Sequence, residues 1–366
     1  MRICKINKQH SHLHHPTIVG TGLVALDVLL TDDCGNVETA LGGSAGNVLA
    51  ILGHLGWSST PVAQLGMDEA ATRIKIEFGK LGANTQFLLQ SEQLSTPVVY
   101  QYPAKSGHSH EFSFRCPICG LKRGFVPPSD DGTVMSDLRR IEAPDVFYFD
   151  RVTPWALDLA ERYREVGSLV VFEPSTVGSD LEAFRRGVRA AHILKYADDR
   201  IADIEGVDLS SVDVEIQTHG KRGLQFRLAD SPSTWHNLSA FDIPYVADTA
   251  GAGDWCTSGF LYALVGSIFE SQGNARISTR RIRESLRFGQ ILAALNCMEK
   301  GARGLARRHP SETLIKLATL IRGGMTSPFE QTAAGSDDRA DRLHSAQSSK
   351  SLDALFTSLC CEPLAH

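Results

Sequence analysis

Asp248-Thr-Ala-Gly-Ala-Gly-Asp254 is a glycine-rich turn that ends in a carboxylate, and the apolar run 255–265 follows it directly. The run has the composition of a buried helix. Small residues let the backbone come close to a bound anion. The first amides of a helix lack intrahelical acceptors and lie at the positive end of its dipole. The stretch therefore predicts an anion site at the start of a helix.

The same stretch supplies the groups that phosphoryl transfer requires. Asp254 can take a proton from a hydroxyl, while the amides of Ala252 to Asp254, in the turn that Gly251 and Gly253 form, hold the charge that develops on a transferred phosphoryl group. These four residues are the catalytic candidates. The alternative is a plain strand-to-helix connection in which glycine forms the turn and Asp254 caps the helix.

Two separate motifs resemble the signatures of the ribokinase-like (PfkB) carbohydrate kinase family. Residues 248–254 match the second signature, Asp-Thr-x-Gly-Ala-Gly-Asp, at every fixed position. The first signature has its counterpart upstream in Gly42-Gly43-Ser-Ala-Gly-Asn47, followed by Gly56 nine residues after the Asn and by Leu65-Gly66-Met-Asp68. The resemblance implies a three-layer α/β fold with a mainly parallel central sheet flanked by helices, plus a small β-sheet lid. It also implies an ATP-dependent kinase that acts on a hydroxyl of a sugar or sugar-like small molecule, with Mg²⁺ as cofactor.

Length and composition exclude several classes of protein. The chain has 366 residues, of which 42% are apolar and 22% charged, and a formal charge of −5. These values describe a globular protein with a sizeable core, and the missing basic excess argues against nucleic acid as a partner. The sequence has no run of about 18 apolar residues and no signal-peptide hydrophobic region at its start, which predicts a cytoplasmic protein without a membrane partner. The eight cysteines form no framework of spacings and suit a reducing compartment.

The two ends of the chain differ from its middle. Residues 1–15 are polar and contain four His, which predicts a mobile N-terminus, with a metal site as the alternative. Residues 327–366 are rich in Ser, Ala, Asp and Gly and lack a regular period before the short apolar stretch 352–359, which predicts a flexible C-terminal tail. The ribokinase-like domain is therefore predicted over residues 16–326.

Strands and helices alternate along the middle of the chain, as is typical of parallel β-α-β units. Two segments without helical period, at about 32–41 and 97–126, are predicted to form the lid. The predicted strands are 17–22, 146–150, 168–173, 193–196, 212–218 and 224–228, and the predicted helices are 45–55, 154–166, 181–191, 254–268 and 281–300.

The resemblance assigns the acceptor site to residues near the start of the chain. Asp27 is the implied carboxylate that hydrogen-bonds sugar hydroxyls, with a surface-turn role as the alternative. Gly42 and Gly43 are the implied pair whose missing side chains let the substrate lie against the backbone. Asn47 is the implied contact to a hydroxyl, because an amide both donates and accepts; alternatively it caps the following helix.

Three further segments are assigned to the nucleotide by the same resemblance. The turn Thr218-His-Gly220-Lys-Arg-Gly223 is similar to the family's Thr-x-Gly-x-x-Gly turn, which holds the phosphates and ribose, although a plain hairpin is the alternative. Asn296 and Gly301 fall where the family lines its adenine pocket, and helix core is the alternative there. Lys195, near the end of a predicted strand, is assigned to the nucleotide with them.

One departure from the family concerns the metal. The family shows Asn-x-x-Glu after the strand that contains Lys195, and here Ala197 and Arg200 occupy these two positions. Asp198 or Asp199 is the expected substitute for binding Mg²⁺, because a hard cation held through water tolerates a shifted carboxylate. The alternative is a weakened or lost metal site, which leaves open a catalytically impaired protein that senses a sugar or nucleotide.

Another departure lies in the second lid segment. His108, His110, Cys116 and Cys119 have the residue types of a tetrahedral zinc site, so Zn²⁺ in the lid is a second metal candidate. Only one Cys-x-x-Cys is present, and a redox pair or two ordinary lid cysteines remain alternatives. Pairing of the lid between two copies of the chain would give a homodimer, and a nucleoside kinase of the same family is the alternative activity.

Overall fold

The computed structural model describes residues 15–30, 37–102, 111–128, 133–201, 204, 206–270, 277–324 and 358–359. The strands in these ranges are β1 (Thr17–Thr21), β2 (Ala25–Leu30), β3 (Val37–Gly42), β4 (Ser58–Gly66), β5 (Leu88–Ser91), β6 (Val98–Tyr102), β7 (Glu111–Ser113), β8 (Val146–Phe149), β9 (Leu169–Phe172), β10 (Ile193–Ala197), β11 (Val214–Thr218), β12 (Leu224–Leu228) and β13 (His236–Leu238). The helices are α1 (Ser44–His54), α2 (Glu69–Lys80), α3 (Thr133–Leu138), α4 (Pro154–Val166), α5 (Leu181–Ala190), α6 (Ala252–Glu270), α7 (Thr279–Cys297), α8 (Gly304–Arg308) and α9 (Ser311–Arg322). None of these described helices is both long and apolar enough to cross a membrane.

The strands form a large sheet and a small one. The large sheet has the order β13-β12-β11-β10-β9-β8-β1-β4-β5. Its strands are parallel from β11 to β5, and β12 and β13 add an antiparallel edge. Parallel strands bring their carboxyl ends to one edge of a sheet, where ligands of such folds bind. The loops after β1, β8, β9 and β10 therefore meet at one place.

Both faces of the large sheet are covered by helices. Ile18 and Tyr148 belong to the core cluster that contains α1 and α6, whereas Val19 and Phe147 belong to the cluster that contains α4 and α5. Successive side chains of a strand point to opposite faces, so strands buried on both sides are apolar throughout. This three-layer arrangement confirms the predicted fold class.

The small sheet, called the lid sheet from here on, has the order β3-β2-β6-β7. One of its faces is covered by α2, since Leu26 and Val28 share a core cluster with Ile74 and Phe78 of that helix. The lid prediction was incomplete, because β2 also belongs to the lid sheet and pairs with both β3 and β6. Asp27 in β2 is thus a lid residue.

The other predicted elements are confirmed with small shifts at their ends. Helix α4 has the predicted bounds because local signals mark both of its ends. The side chain of Thr153 caps the first turn, Pro154 takes the first helical position, and Gly167 ends the helix in the left-handed conformation with φ 99°. Helix α6 starts earlier than predicted, at Ala252, so the glycine-rich turn runs into its first turn.

The predicted tails lie almost wholly outside the described residues, and their mobility stays a prediction. Leu359 is an exception. It is only 5% exposed, packs into the core cluster of the lid sheet and α2, and its carbonyl accepts a hydrogen bond from the Arg123 guanidinium. At this residue the C-terminal segment is packed against the domain, while the predicted flexibility of the tail as a whole stays a prediction.

Candidate active site at the start of helix α6

The first turn of α6 places a carboxylate beside an amide of α1. Asp254 is half-buried, and its Oδ2 accepts a hydrogen bond of 2.8 Å from Nδ2 of Asn47. The Oδ1 of Asn47 is buried and has no partner among the described residues. The predicted base and one predicted acceptor-site residue therefore meet directly, and an amide oxygen is left to accept from a donor such as a hydroxyl.

Asp254 holds its proton more tightly than an ordinary aspartate. Its pKa is raised to about 8, first by burial and then by the carboxylate of Glu173, against the opposing Asn47 amide and Lys195 ammonium. A group is most effective in proton transfer when its pKa lies near the working pH. The environment of Asp254 thus suits a general base.

Asp248 fixes the turn that precedes α6. Its Oδ1 accepts from the Ala250 N–H at 2.8 Å. Its Oδ2 accepts from the Gly301 N–H at 2.8 Å and from Nε2 of Gln101 in β6 at 3.1 Å. One buried carboxylate therefore joins the turn, the Gly301 loop and the lid sheet.

Gly251 is required by a close approach of two backbone segments. Its φ is 74°, and a Cβ at this position would lie 2.3 Å from the carbonyl oxygen of Ala302. The same carbonyl accepts a hydrogen bond of 3.0 Å from Nε1 of Trp255. Gly253, in contrast, is exposed and a Cβ there would meet no atom. The outer side of the turn is thus open to a ligand while its inner side is packed.

Asn296 supports the turn from the side of α7. Its Nδ2 donates to the Ala250 carbonyl at 3.0 Å, and its Oδ1 accepts from the Leu305 N–H at 3.3 Å. The side chain is fully buried, and both of its polar ends bond within the protein. This geometry makes Asn296 a support of the turn, and it gives the predicted contact with an adenine ring no support.

We expect Asn296→Ala to lower the free energy of unfolding by about 2–4 kcal/mol, because two buried backbone groups lose their hydrogen-bond partners. Urea unfolding followed by circular dichroism measures the change. Asn237→Ala, on an exposed position of β13, is the control and should stay within about 0.5 kcal/mol of the unmodified protein. Unchanged stability combined with weaker ATP binding would restore the adenine-pocket assignment.

The predicted acceptor-site residues of the lid sheet lie together. A Cβ on Gly42 would lie 2.0 Å from the Cγ of Asp27, so the carboxyl group of Asp27 occupies the space over this glycine. Gly43 has φ 78°, and a Cβ there would lie 2.3 Å from the carbonyl oxygen of Leu23. Contacts within the protein therefore already require both glycines. The predicted approach of a substrate to their backbone stays a prediction.

Asp27 is a second carboxyl group with a shifted titration. It is 9% exposed, and its pKa is raised to about 7, mainly by burial, with Arg303 lowering it and Glu77 raising it. A carboxyl group that titrates near neutrality can donate or accept a hydrogen bond, as sugar hydroxyls also do. This property fits its predicted role toward an acceptor.

A buried ion pair that the sequence analysis missed lies beneath the turn. Glu173, after β9, accepts from Nζ of Lys195, from Oγ1 of Thr257 at 2.6 Å and from the hydroxyl of Tyr148 at 3.3 Å. Lys195 is 2% exposed, and its Nζ also lies 3.5 Å from the Gly253 carbonyl oxygen. Lys195 thus faces the underside of the turn, which differs from its predicted contact with the nucleotide. A carboxylate at the end of a parallel strand was the available sequence signal for Glu173.

Asp150, after β8, fixes the connection from β1 to the lid sheet. Its Oδ1 accepts from the Leu23 N–H at 2.8 Å, and its Oδ2 lies 3.1 Å from a guanidinium nitrogen of Arg151. A Cβ on Gly22, which has φ 136°, would lie 1.6 Å from Asp150 Oδ1. This role of Asp150 was not predicted from the sequence.

Comparison with known proteins was made by sequence and by structure. No protein-family model and no curated protein matches the chain. Ribokinase from Giardia lamblia superimposes with a TM-score of 0.67 at 17% identity, over 84% of this chain and 100% of that one. The ATP-bound fructokinase from Xylella fastidiosa gives 0.61 at 18% identity, over 83% and 99%. Aminoimidazole riboside kinase from Salmonella enterica, in complex with its riboside and an ATP analogue, gives 0.61 at 19% identity, over 82% and 99%.

The chain has the ribokinase-like fold. Its likeness to these structures spans 82–84% of this chain and 99–100% of each of them.

In the ribokinase-like fold of this chain, the predicted nucleotide turn connects the antiparallel strands β11 and β12. Gly223 has φ 101°, and a Cβ there would lie 2.1 Å from the Leu238 carbonyl oxygen, whereas Gly220 has φ 56° and open space around it. Thr218 donates to the Tyr196 carbonyl at 3.4 Å. Hairpin geometry thus explains Gly223, and the phosphate contacts of this turn stay a prediction.

The ribokinase-like fold implies Mg²⁺, but the residues predicted to hold it do not fit. Asp198 Oδ2 lies 2.6 Å from Nδ1 of His219 and 2.5 Å from a guanidinium nitrogen of Arg222. These two partners, His219 first, lower the pKa of Asp198. Asp199 is exposed. Among the described residues, no group of three or more His, Cys, Asp or Glu side chains is arranged to hold a metal ion.

The zinc prediction falls partly outside the described residues. Cys116 is buried and Cys119 is exposed, in the segment after β7. His108 and His110 lie outside the described ranges, so the proposed tetrahedral set stays a prediction.

Proposed function

We propose that this chain is an ATP-dependent carbohydrate kinase that moves the terminal phosphoryl group of ATP to a hydroxyl of a sugar or sugar-like small molecule. The observation that carries the proposal is the pair of Asp254 and Asn47, joined at 2.8 Å at the start of α6 in a ribokinase-like fold. Structural neighbours include a fructokinase with bound ATP and a riboside kinase with an ATP analogue. A sensor of small molecules would have no use for a base at this position.

The proposed reaction uses groups that surround the turn. The acceptor hydroxyl loses its proton to Asp254, its oxygen forms a bond to the γ-phosphorus, and the bond from that phosphorus to the β–γ bridging oxygen breaks to release ADP. In this proposal the amides of Gly253 and Asp254 face the phosphoryl group, whose negative charge the helix dipole favours, while the Ala252 amide donates to the Thr249 carbonyl at 3.2 Å. The proposed roles belong to the chain's own residues, because Asp198 and Asp199, the predicted Mg²⁺ ligands, do not fit this ion: Asp198 pairs with His219 and Arg222, and Asp199 is exposed.

The acceptor is proposed to bind between the lid sheet and α1. Asp27 supplies a carboxyl group that can donate or accept, and the unpartnered Oδ1 of Asn47 supplies an acceptor. Both side chains are at most 9% exposed, so a bound hydroxyl there would be largely shielded from water. Exclusion of water protects the phosphoryl group from hydrolysis.

A nucleoside kinase is the second candidate function. The observation in its favour is the likeness to aminoimidazole riboside kinase, whose acceptor carries a base on its ribose. The two candidates share the phosphoryl-transfer chemistry and differ in the part of the acceptor that lies away from Asp254.

A panel of acceptors tests the proposal. ATP consumption is measured with fructose, ribose and other simple sugars, with nucleosides, and without acceptor, at fixed MgCl₂ concentration. We expect turnover with at least one sugar well above the rate without acceptor. Turnover with nucleosides alone would select the second candidate. Tight binding of a sugar or nucleotide without ATP consumption would support a sensing protein and contradict the enzyme.

A further inference from the structure

The ion pair of Glu173 and Lys195 lies beneath α6 and contacts the start of this helix. Glu173 bonds to Lys195 of β10, to Tyr148 of β8 and to Thr257 of α6. Lys195 Nζ lies 3.5 Å from the carbonyl oxygen of Gly253, the residue that precedes Asp254. The Thr257 hydroxyl lies 3.1 Å from the same carbonyl. The pair therefore links two strands of the large sheet to the first turn of the helix.

We propose that Glu173 and Lys195 are a positioning pair for Asp254: they hold the first turn of α6 from beneath and place one negative and one positive charge against the catalytic carboxylate. The inference rests on the proposed function, in which Asp254 is the base. Neither member of the pair touches substrate in this proposal. Lys195, which the sequence assigned to the nucleotide, acts instead through the turn.

Burial makes these charges effective. Lys195 is 2% exposed, Thr257 1% and Tyr148 0%, so water screens the pair weakly. The Glu173 side chain is 15% exposed and its carboxylate has three donors, so its charge is well compensated. Removal of one member of the pair leaves the other as an uncompensated charge. The pair thus has a large effect on any neighbouring group that titrates.

The charged and titratable groups that face Asp254 come from three strands. Asp150 follows β8, Glu173 follows β9 and Lys195 lies in β10, while α1 contributes the uncharged amide of Asn47. The Tyr148 hydroxyl is also close, and its own pKa is raised well above the ordinary value, first by burial and then by Glu173. Around the catalytic carboxyl group, the carboxylates of Asp150 and Glu173 therefore raise its pKa and the ammonium of Lys195 lowers it.

Removing the charge of Glu173 and removing the charge of Lys195 are expected to shift the pKa of Asp254 in opposite directions. Glu173 raises the pKa of Asp254 and Lys195 lowers it. Glu173→Gln should therefore shift the acidic limb of the kcat/KM profile to lower pH, by on the order of one unit. Lys195→Met should shift the limb to higher pH. In both variants the KM for ATP should stay within about twofold, because neither side chain contacts the nucleotide.

A matched control is available on the other face of the large sheet. Glu215 is buried, pairs with Arg227 and accepts a hydrogen bond of 2.7 Å from the Tyr196 hydroxyl. Its neighbour Ile216 is in register with Lys195, so Glu215 points to the opposite face. Glu215→Gln should lower stability and leave the acidic limb where it is. Glu173→Asp keeps the charge and should also leave the limb in place.

The test depends on the direction in which the acidic limb of the kcat/KM profile shifts. If one of the two variants does not fold, the other is sufficient for the test. A limb that stays in place in Glu173→Gln, or in Lys195→Met, overturns the positioning pair. A KM for ATP that rises on the order of tenfold or more in Lys195→Met, but not in Glu173→Gln, overturns it in favour of a nucleotide contact.

A readout without catalysis separates this inference from the proposed function. Because the folded state raises the pKa of Asp254 from 3.8 to about 8, the carboxyl group stabilises the fold below that window and the stabilisation is lost as pH rises through it. The test measures the free energy of unfolding of the unmodified protein and of Asp254→Asn as a function of pH. The difference between the two, unmodified minus variant, should fall between pH 3.8 and about 8. In the Glu173→Gln background, the fall should end at lower pH. If the fall ends at the same pH in the Glu173→Gln background, the positioning pair is overturned, even if kinase activity is confirmed. If the fall ends at lower pH, the positioning pair is supported, even if no acceptor is found.

Discussion

Asp254→Asn is expected to lower turnover by a factor on the order of a hundred or more and to leave ATP binding intact. Asparagine keeps the shape of the side chain and can still accept from the Asn47 amide at the 2.8 Å contact, but it cannot take the acceptor's proton. Turnover is measured with the acceptor found in the panel, and ATP binding by calorimetry.

The pH dependence of kcat/KM is a second test of Asp254 as the base. With a pKa of about 8, Asp254 is protonated at low pH, so kcat/KM should fall as the pH falls below that value. Asp180→Asn, at the exposed cap of α5, changes the same atoms and should keep full activity, because Asn is an equally good cap. Nearly normal turnover in Asp254→Asn would show that another group takes the proton.

Gly251→Ala is expected to destabilise the protein by about 2 kcal/mol or more and to remove most of its activity. At φ 74° an L side chain is strained, and the added Cβ would lie 2.3 Å from the backbone carbonyl of Ala302, which cannot move aside as a flexible side chain would. The turn must shift instead, and a displacement on the order of 1 Å at a catalytic centre can cost a hundredfold in rate. Urea unfolding and turnover are measured together.

Gly266→Ala is the matched control in the same helix. A Cβ at Gly266 meets no atom within 4 Å, so alanine should raise the free energy of unfolding by about 0.5–1 kcal/mol through its better helix propensity. Activity should be unchanged. If Gly251→Ala behaves like Gly266→Ala, the turn is less constrained than the structure shows, and the packed inner side of the site would have to be reconsidered.

Prediction from sequence succeeded where the signal is local. The bounds of α4 follow from Thr153, Pro154 and Gly167, each of which acts within one turn of the helix. The parallel order of strands followed from alternating elements, because a crossover helix leaves few other arrangements. The meeting of Asn47 with Asp254 was implied by two motifs whose roles are complementary, although 207 residues separate them along the chain.

The sequence was a weaker guide where a role depends on which groups surround a residue. Asn296 is a polar residue in an apolar helix, and nothing in its neighbourhood along the chain shows that Ala250 and Leu305 use both of its ends. Lys195 was assigned to the nucleotide by the family resemblance, and its partner Glu173 lies 22 residues upstream, directly after a different strand. β2 was left outside the lid because its partners β3 and β6 are identified only by the folded pairing.

The shared carboxylate of Asp248 has a mechanical consequence. A hinge motion that lifted β6 would separate Gln101 from its acceptor 3.1 Å away and leave a buried amide unpaired, at about 1–3 kcal/mol. β6 should therefore stay anchored while molecules enter and leave. We expect the entrance to open at the two edges of the lid sheet, where β7 and β3 each have one neighbouring strand within the part of the chain that the structure describes.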